Sequence, residues 1–204
     1  MHITLDTVQI VFWSLAYFFV IIYCIKYHHS AMPLDALILN SAWEITALIF
    51  DICRNDIFIG HIVWFGLDAV ILFFSYKDLP PKKILIFGLV HIASILILCI
   101  LFKYGFMSYS VFVIDLLMAM SYLQFVKKRK MLPCLLTFLI CLCECIGDLT
   151  AFLFYQRYSS FALYIGLAVQ VLHAIRFYLL YSLFAKRKKR CHTGGYHRRK
   201  NNKR

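Results

Sequence analysis

The sequence predicts an all-α fold: a seven-transmembrane-helix bundle, N-terminus outside and C-terminus cytoplasmic. Three observations carry this. Of 204 residues, 62% are hydrophobic and the mean hydropathy is +0.76, more apolar surface than a soluble domain of this length has use for. Apolar windows of about twenty residues, the length that crosses a bilayer core, recur along nearly the whole chain. The net charge of +12 is concentrated in every second connection and in the tail.

The first span, 5–25, has no basic segment before it and no small-residue cleavage site, so it reads as a retained helix rather than a cleaved signal peptide. The second, 33–53, opens on Pro33, where a helix has a free donor position to lose. The third, 57–76, runs into the proline-marked connection "KDLPPKK" before the fourth, 84–102. The fifth, 105–126, is followed by "KKRKMLP", whose Pro133 opens the sixth, 132–156, and the seventh covers 159–185. Each is expected to be helical because backbone groups in lipid must be satisfied within the segment.

With the N-terminus outside, the inner connections hold Lys26; Lys77, Lys82 and Lys83; Lys127, Lys128, Arg129 and Lys130; and the tail from Lys186. The outer ones hold only Arg54, Lys103 and Arg157. Such asymmetry places the basic side in the cytoplasm, and an added or missing span would scramble it. No Gly- or Ser-rich linker interrupts the spans, so 1–185 reads as one membrane domain.

The remaining 186–204 is a basic tail, expected to be disordered, with ten Lys and Arg and no acid. Beside a transmembrane helix it is expected to lie on anionic lipid headgroups. Its one aromatic, Tyr196, offers little base stacking, so nucleic acid is not an expected partner. The eight cysteines suit small, polarizable packing in a helix bundle. Those of the sixth span fall on different faces and Cys191, His192 and His197 make a thin ligand set, so neither a metal nor a cofactor is expected.

Five of the ten acids fall well inside spans: Glu44, Asp68, Asp115, Glu144 and Asp148. A buried carboxyl in a membrane is costly and faces the bundle interior. All five fall near the middle of their spans, and the seventh span adds Gln170, His173 and Arg176 at three-residue spacing. The expectation is a shared polar layer at mid-depth. Asn40 and Glu44 share a helix face, as do Trp64 and Asp68, and Glu144 and Asp148. Two carboxyls one turn apart in low dielectric do not both ionise, so this layer is expected to hold a neutral acid able to give a proton. Simpler roles are expected elsewhere: Asp51 with Arg54 as an interfacial pair, His61 at the interface, and His91 as a packed, hydrogen-bonded histidine. Arg176 has two open readings, as a neutraliser of Asp148 or Asp115 and as a site residue.

The stretch "MPLDALILNSAWEITALIFD", followed by "VWFGLDAVILFF", resembles the fungal integral-membrane terpene cyclases of indole-diterpene and meroterpenoid pathways. That family carries an Asn-x-x-x-Glu element with Trp before the Glu on its second span, and a Trp and an Asp one turn apart on its third. Asn40, Trp43 and Glu44 match the first element; Trp64 and Asp68 match the second. The similarity covers residues 32–74, and the rest agrees in topology and hydropathy.

The resemblance implies metal-independent cyclisation of a prenyl chain, often begun by protonating a terminal epoxide. No diphosphate leaves, so no Mg²⁺ cluster is required. It also implies a second acid toward the last span. Here the seventh span has none, and Asp148 on the sixth is the nearest substitute. On this reading Glu44 is the acid, oriented by Asn40, and Asp68 is its hydrogen-bonded partner or a stabiliser of the travelling cation. Asp148 is the second acid or base. Trp43, Trp64, Glu144, His173 and Arg176 line the site for a lipophilic small molecule. Two rival classes are a small proton-coupled transporter or receptor, and a scaffold whose buried acids only fix helix registry. Against transport, all four prolines lie at or outside helix ends and no repeat relates the halves.

Overall fold

A computed structural model describes residues 5–77, 79–128, 131–155 and 160–201; the side chains of residues 6, 108, 154, 155 and 188–201 lie outside that description. The described residues form seven helices and no strand: α1 (Leu5–Tyr27), α2 (Leu34–Arg54), α3 (Ile59–Tyr76), α4 (Pro81–Lys103), α5 (Met107–Lys127), α6 (Leu135–Tyr155) and α7 (Ser160–Asn201). Each contains a segment long and apolar enough to cross a membrane, that of α7 being Ser160–Arg187. Arg129, Lys130 and Arg157, used above to orient the chain, lie outside the described residues, as do the side chains of the tail from residue 188 on; its backbone to Asn201 belongs to α7.

The helix ends follow local chemistry. Pro33 and Pro80 precede α2 and α4 in extended conformation, and Pro81 occupies the first turn of α4. α2 stops at Asn55, held left-handed at φ 55°, where the Asp56 N–H reaches back to the Asp51 carbonyl at 3.1 Å. α4 ends the same way. Gly105 takes φ +81°, which a glycine adopts without a Cβ clash, and the Phe106 N–H bonds the Leu101 carbonyl at 3.0 Å.

Six helices close a ring in the order α1, α3, α2, α5, α7, α6 and back to α1. α4 packs on α2 and α5 and buries only Leu98 and Phe102 among its described residues. It is apolar all round yet exposes Leu85, Leu89 and Leu96, the pattern of a helix whose outer surface meets hydrocarbon. That position explains why the fourth span alone among spans two to six carries no acid: it has little interior face to place one on. His91 is its polar contact to the ring, 3.1 Å from Ser41 Oγ, as the sequence suggested.

Polar ties pin the ring where helices meet. Trp64 Nε1 donates to Ser14 Oγ at 3.2 Å across α3 and α1, and Trp43 Nε1 to Ser110 Oγ at 3.1 Å across α2 and α5. Ser121 Oγ donates to Asp35 Oδ2 at 2.7 Å between α5 and α2. The Tyr23 hydroxyl accepts the Leu132 N–H at 3.0 Å, joining α1 to the segment before α6. α1 and α6 meet closely at Gly147, where an added Cβ would stand 2.7 Å from Cδ1 of Trp13. Gly147→Ala is therefore expected to displace that indole and cost about 1–3 kcal/mol of stability. The thermal midpoint in detergent reads this, with Gly66→Ala in α3, where nothing lies within 4 Å, as the control, expected to raise the midpoint by the helix propensity of alanine, about 0.5–1 kcal/mol.

Candidate functional site

Two adjoining spaces lie between the ring helices. The first is lined by Gln9, Trp13 and Tyr17 of α1, Asn40, Trp43 and Glu44 of α2, Trp64 of α3, and Val111, Ile114 and Asp115 of α5. It spans about 460 Å³ of atom-free space, counting the part open to the outside. It is a narrow crevice, and a prenyl chain seats in it only if the ring side chains swing aside. The second is smaller, and its lining includes Tyr122, Glu144, Asp148 and His173. Trp13 and Asp115 line both, so they stand where the two meet.

Glu44 dominates the first space. It is 4% exposed, and its Oε2 has no hydrogen-bond partner among the described residues. None of the described ion pairs includes it. A carboxylate left so would be an unpaired charge in low dielectric, which costs far more than the neutral acid. Glu44 thus presents a carboxyl oxygen without a described partner to a space lined by three indoles and a phenol. Aromatic faces offer a passing cation favourable electrostatics without a nucleophile to trap it.

Asn40 corrects one expectation. Its amide does not turn to Glu44, one helical turn away. Nδ2 donates to Asp68 Oδ2 at 2.8 Å and to the Tyr17 hydroxyl. The facing helices bring better acceptors within reach than the neighbour on the same helix does. Asp68 is fully buried and sits behind Asn40 rather than on the lining, so it positions Asn40 and Tyr17 instead of partnering Glu44. Trp43 and Trp64 both line the crevice as expected.

The second space has its own pairs. Arg176 of α7 is 1% exposed; its Nη1 donates to Glu144 Oε2, and its guanidinium lies 3.9 Å from the centroid of the Tyr122 ring. The partner is thus Glu144, not Asp148 or Asp115. His173, one turn away, instead takes Asp148, with Nε2 2.7 Å from Oδ2. Of the expected lining residues, Glu144, Asp148 and His173 face this space, whereas Arg176 sits behind Glu144. The polar layer anticipated from the sequence is therefore two clusters, one of neutral donors around Asp68 and one on α6 and α7 that joins the Arg176–Glu144 ion pair to the His173–Asp148 hydrogen bond, with Asp115 between.

Near the C-terminal end of α2, Asp51 accepts from His61 Nδ1 at 2.7 Å and from the Phe58 N–H at 3.1 Å. His61 is buried at 7% exposure, and it rather than Arg54 is the partner of Asp51, tying α2 to the start of α3.

Trp13 was not legible as a site residue. The signal was only its spacing, i,i+4 from Tyr17 on a helix with no acid inside it to mark an inward face. Among the described residues no three His, Cys, Asp or Glu side chains converge in a way that could hold a metal ion. The chain matches no family model, no curated protein and no solved structure.

Proposed function

We propose that the chain is an integral-membrane, terpene cyclase-like enzyme that starts cyclisation of a lipophilic prenyl substrate by protonation. The observation that carries the reading is the uncommitted carboxyl of Glu44 in a crevice walled by Trp13, Trp43, Trp64 and Tyr17. The resemblance of residues 32–74 to the fungal cyclases supports it. So does the apolar outer surface, where a substrate dissolved in the bilayer meets the protein without crossing water. The cation asymmetry supports an outside N-terminus and a tail held on anionic lipid.

The chemistry needs only residues of this chain. With a terminal epoxide, the O–H bond of Glu44 breaks as its proton bonds the epoxide oxygen, and the C–O bond opens at the more substituted carbon. The π pair of a neighbouring alkene forms a C–C bond to that carbon and passes the positive charge along the chain. The indole faces stabilise it in transit. Loss of a proton from carbon to a base of the site then gives an alkene, that proton in the end restores the Glu44 acid, and the product is an isomer of the substrate.

The Arg176–Glu144 ion pair and the His173–Asp148 contact beside it favour a second reading, proton-coupled transport, because ionisable residues inside a bundle also serve proton relays. One experiment separates the two. The purified protein in phosphatidylcholine vesicles is given the terminal epoxide of farnesol, and both lipid extract and internal pH are followed. A product of unchanged mass with a new ring supports the cyclase. Acidification of the lumen with no product supports the transporter and overturns the proposal.

A further inference from the structure

Cyclisation begun at Glu44 must end with removal of a proton from carbon, and the Glu44 carboxylate left behind is not the only group in reach. The second space presents His173 with an unusual distribution of partners. The imidazole is 3% exposed, its Nε2 lies 2.7 Å from Asp148 Oδ2, and its Nδ1 has no partner among the described residues. Buried ring nitrogens are ordinarily satisfied, so an orphan here asks for a ligand or a reacting group. If the Nε2–H is the donor to Asp148, Nδ1 is a free lone pair held in place by a carboxylate, the arrangement in which one group orients a base for another. The space it lines is too small for a second substrate but adjoins the crevice at Trp13 and Asp115.

We infer that His173, oriented by Asp148, is the terminal base: its Nδ1 takes the proton that the last carbocation loses. This rests on the cyclase reading and extends it. The C–H bond next to the cationic carbon breaks, its electron pair becomes the new C=C bond, and the proton goes to Nδ1. The imidazolium formed faces Asp148; Glu144 on the same helix has its charge balanced by Arg176, so Asp148 can carry a negative charge one turn away. Asp115, lining both spaces, stands on the path by which the proton returns to Glu44. Donor and acceptor thus line adjoining spaces, which separates the start of the cascade from its finish. Arg176 keeps Glu144 engaged, so that acid does not compete for His173.

Two readouts test this. In nitrogen NMR of histidine-labelled protein in phosphatidylcholine vesicles, His173 is expected as the Nε2–H tautomer with a bare Nδ1. A proton on Nδ1 in the resting protein overturns the inference whether or not the protein is a cyclase. With the terminal epoxide of farnesol, His173→Gln is read by the distribution of its products rather than by its rate. Its products shift toward water-trapped alcohols and alkene regioisomers. Asp148→Asn shifts them the same way and carries the test if His173→Gln does not fold. An unchanged product ratio in a folded variant overturns the terminal-base role and leaves the cyclase reading standing. Absence of any cyclised product from wild type overturns both.

Discussion

Replacing Glu44 with glutamine is expected to lower kcat for the epoxide by about 10³-fold, within the range that general acids contribute. The substitution keeps the shape of the side chain and removes only the transferable proton. Its effect on folding is expected to be small, because Oε2 has no hydrogen-bond partner among the described residues and no described ion pair involves Glu44. No buried neighbour is left unpaired, so the thermal midpoint should move by no more than a change of about 1 kcal/mol allows. A scaffold role predicts the reverse pattern, a change in stability with no activity to lose. Measuring both quantities on the same preparation distinguishes the two, and normal turnover by a folded Glu44→Gln protein removes Glu44 from the chemistry.

Arg176→Met carries the largest expected effect on stability. The guanidinium is the largest fully buried side chain of the described residues; it pairs with Glu144 and stacks on Tyr122. Methionine fills much of the volume but leaves Glu144 buried without its cation, a change expected to cost about 3–5 kcal/mol. The companion variant is Glu144→Gln with Arg176→Met, in which neither charge remains. Burying an unpaired charge is the main cost, so the double variant is expected to recover most of the loss. Chemical unfolding in a mild detergent gives the three stabilities, and a double variant no more stable than Arg176→Met contradicts this assignment of the pair.

The two predictions draw on parts of the molecule that were unequally legible. The helices were readable because hydropathy and the alternation of cations act at the length of a whole span, and the seven predicted spans fall on α1 to α7. Asn40, Trp43 and Glu44 were readable as a set because three polar or amphipathic side chains on one apolar helix share a face. Their partners were not. Asn40 has Glu44 one turn away and Asp68 on a facing helix, and only the approach of α2 to α3 decides that its amide serves Asp68. Arg176 likewise had acids on α5 and α6 within the same stretch of depth. The register of α6 against α7 gives it Glu144 and gives Asp148 to His173. The closing of the ring by α1 against α6 is a long-range contact that no local pattern announces, and it is what carries Trp13 between the two spaces.

The central claim is that Glu44 stands as a neutral acid open to a lipophilic molecule in an aromatic crevice. Dicyclohexylcarbodiimide, which reacts with protonated carboxyls in apolar surroundings, probes this without requiring the natural substrate. Peptide mass spectrometry of treated protein in vesicles is expected to find the adduct on Glu44, with Glu144 spared by its pairing to Arg176 and the adduct suppressed by the terminal epoxide of farnesol. An unmodified Glu44, or an adduct on Glu144 in its place, would contradict the account.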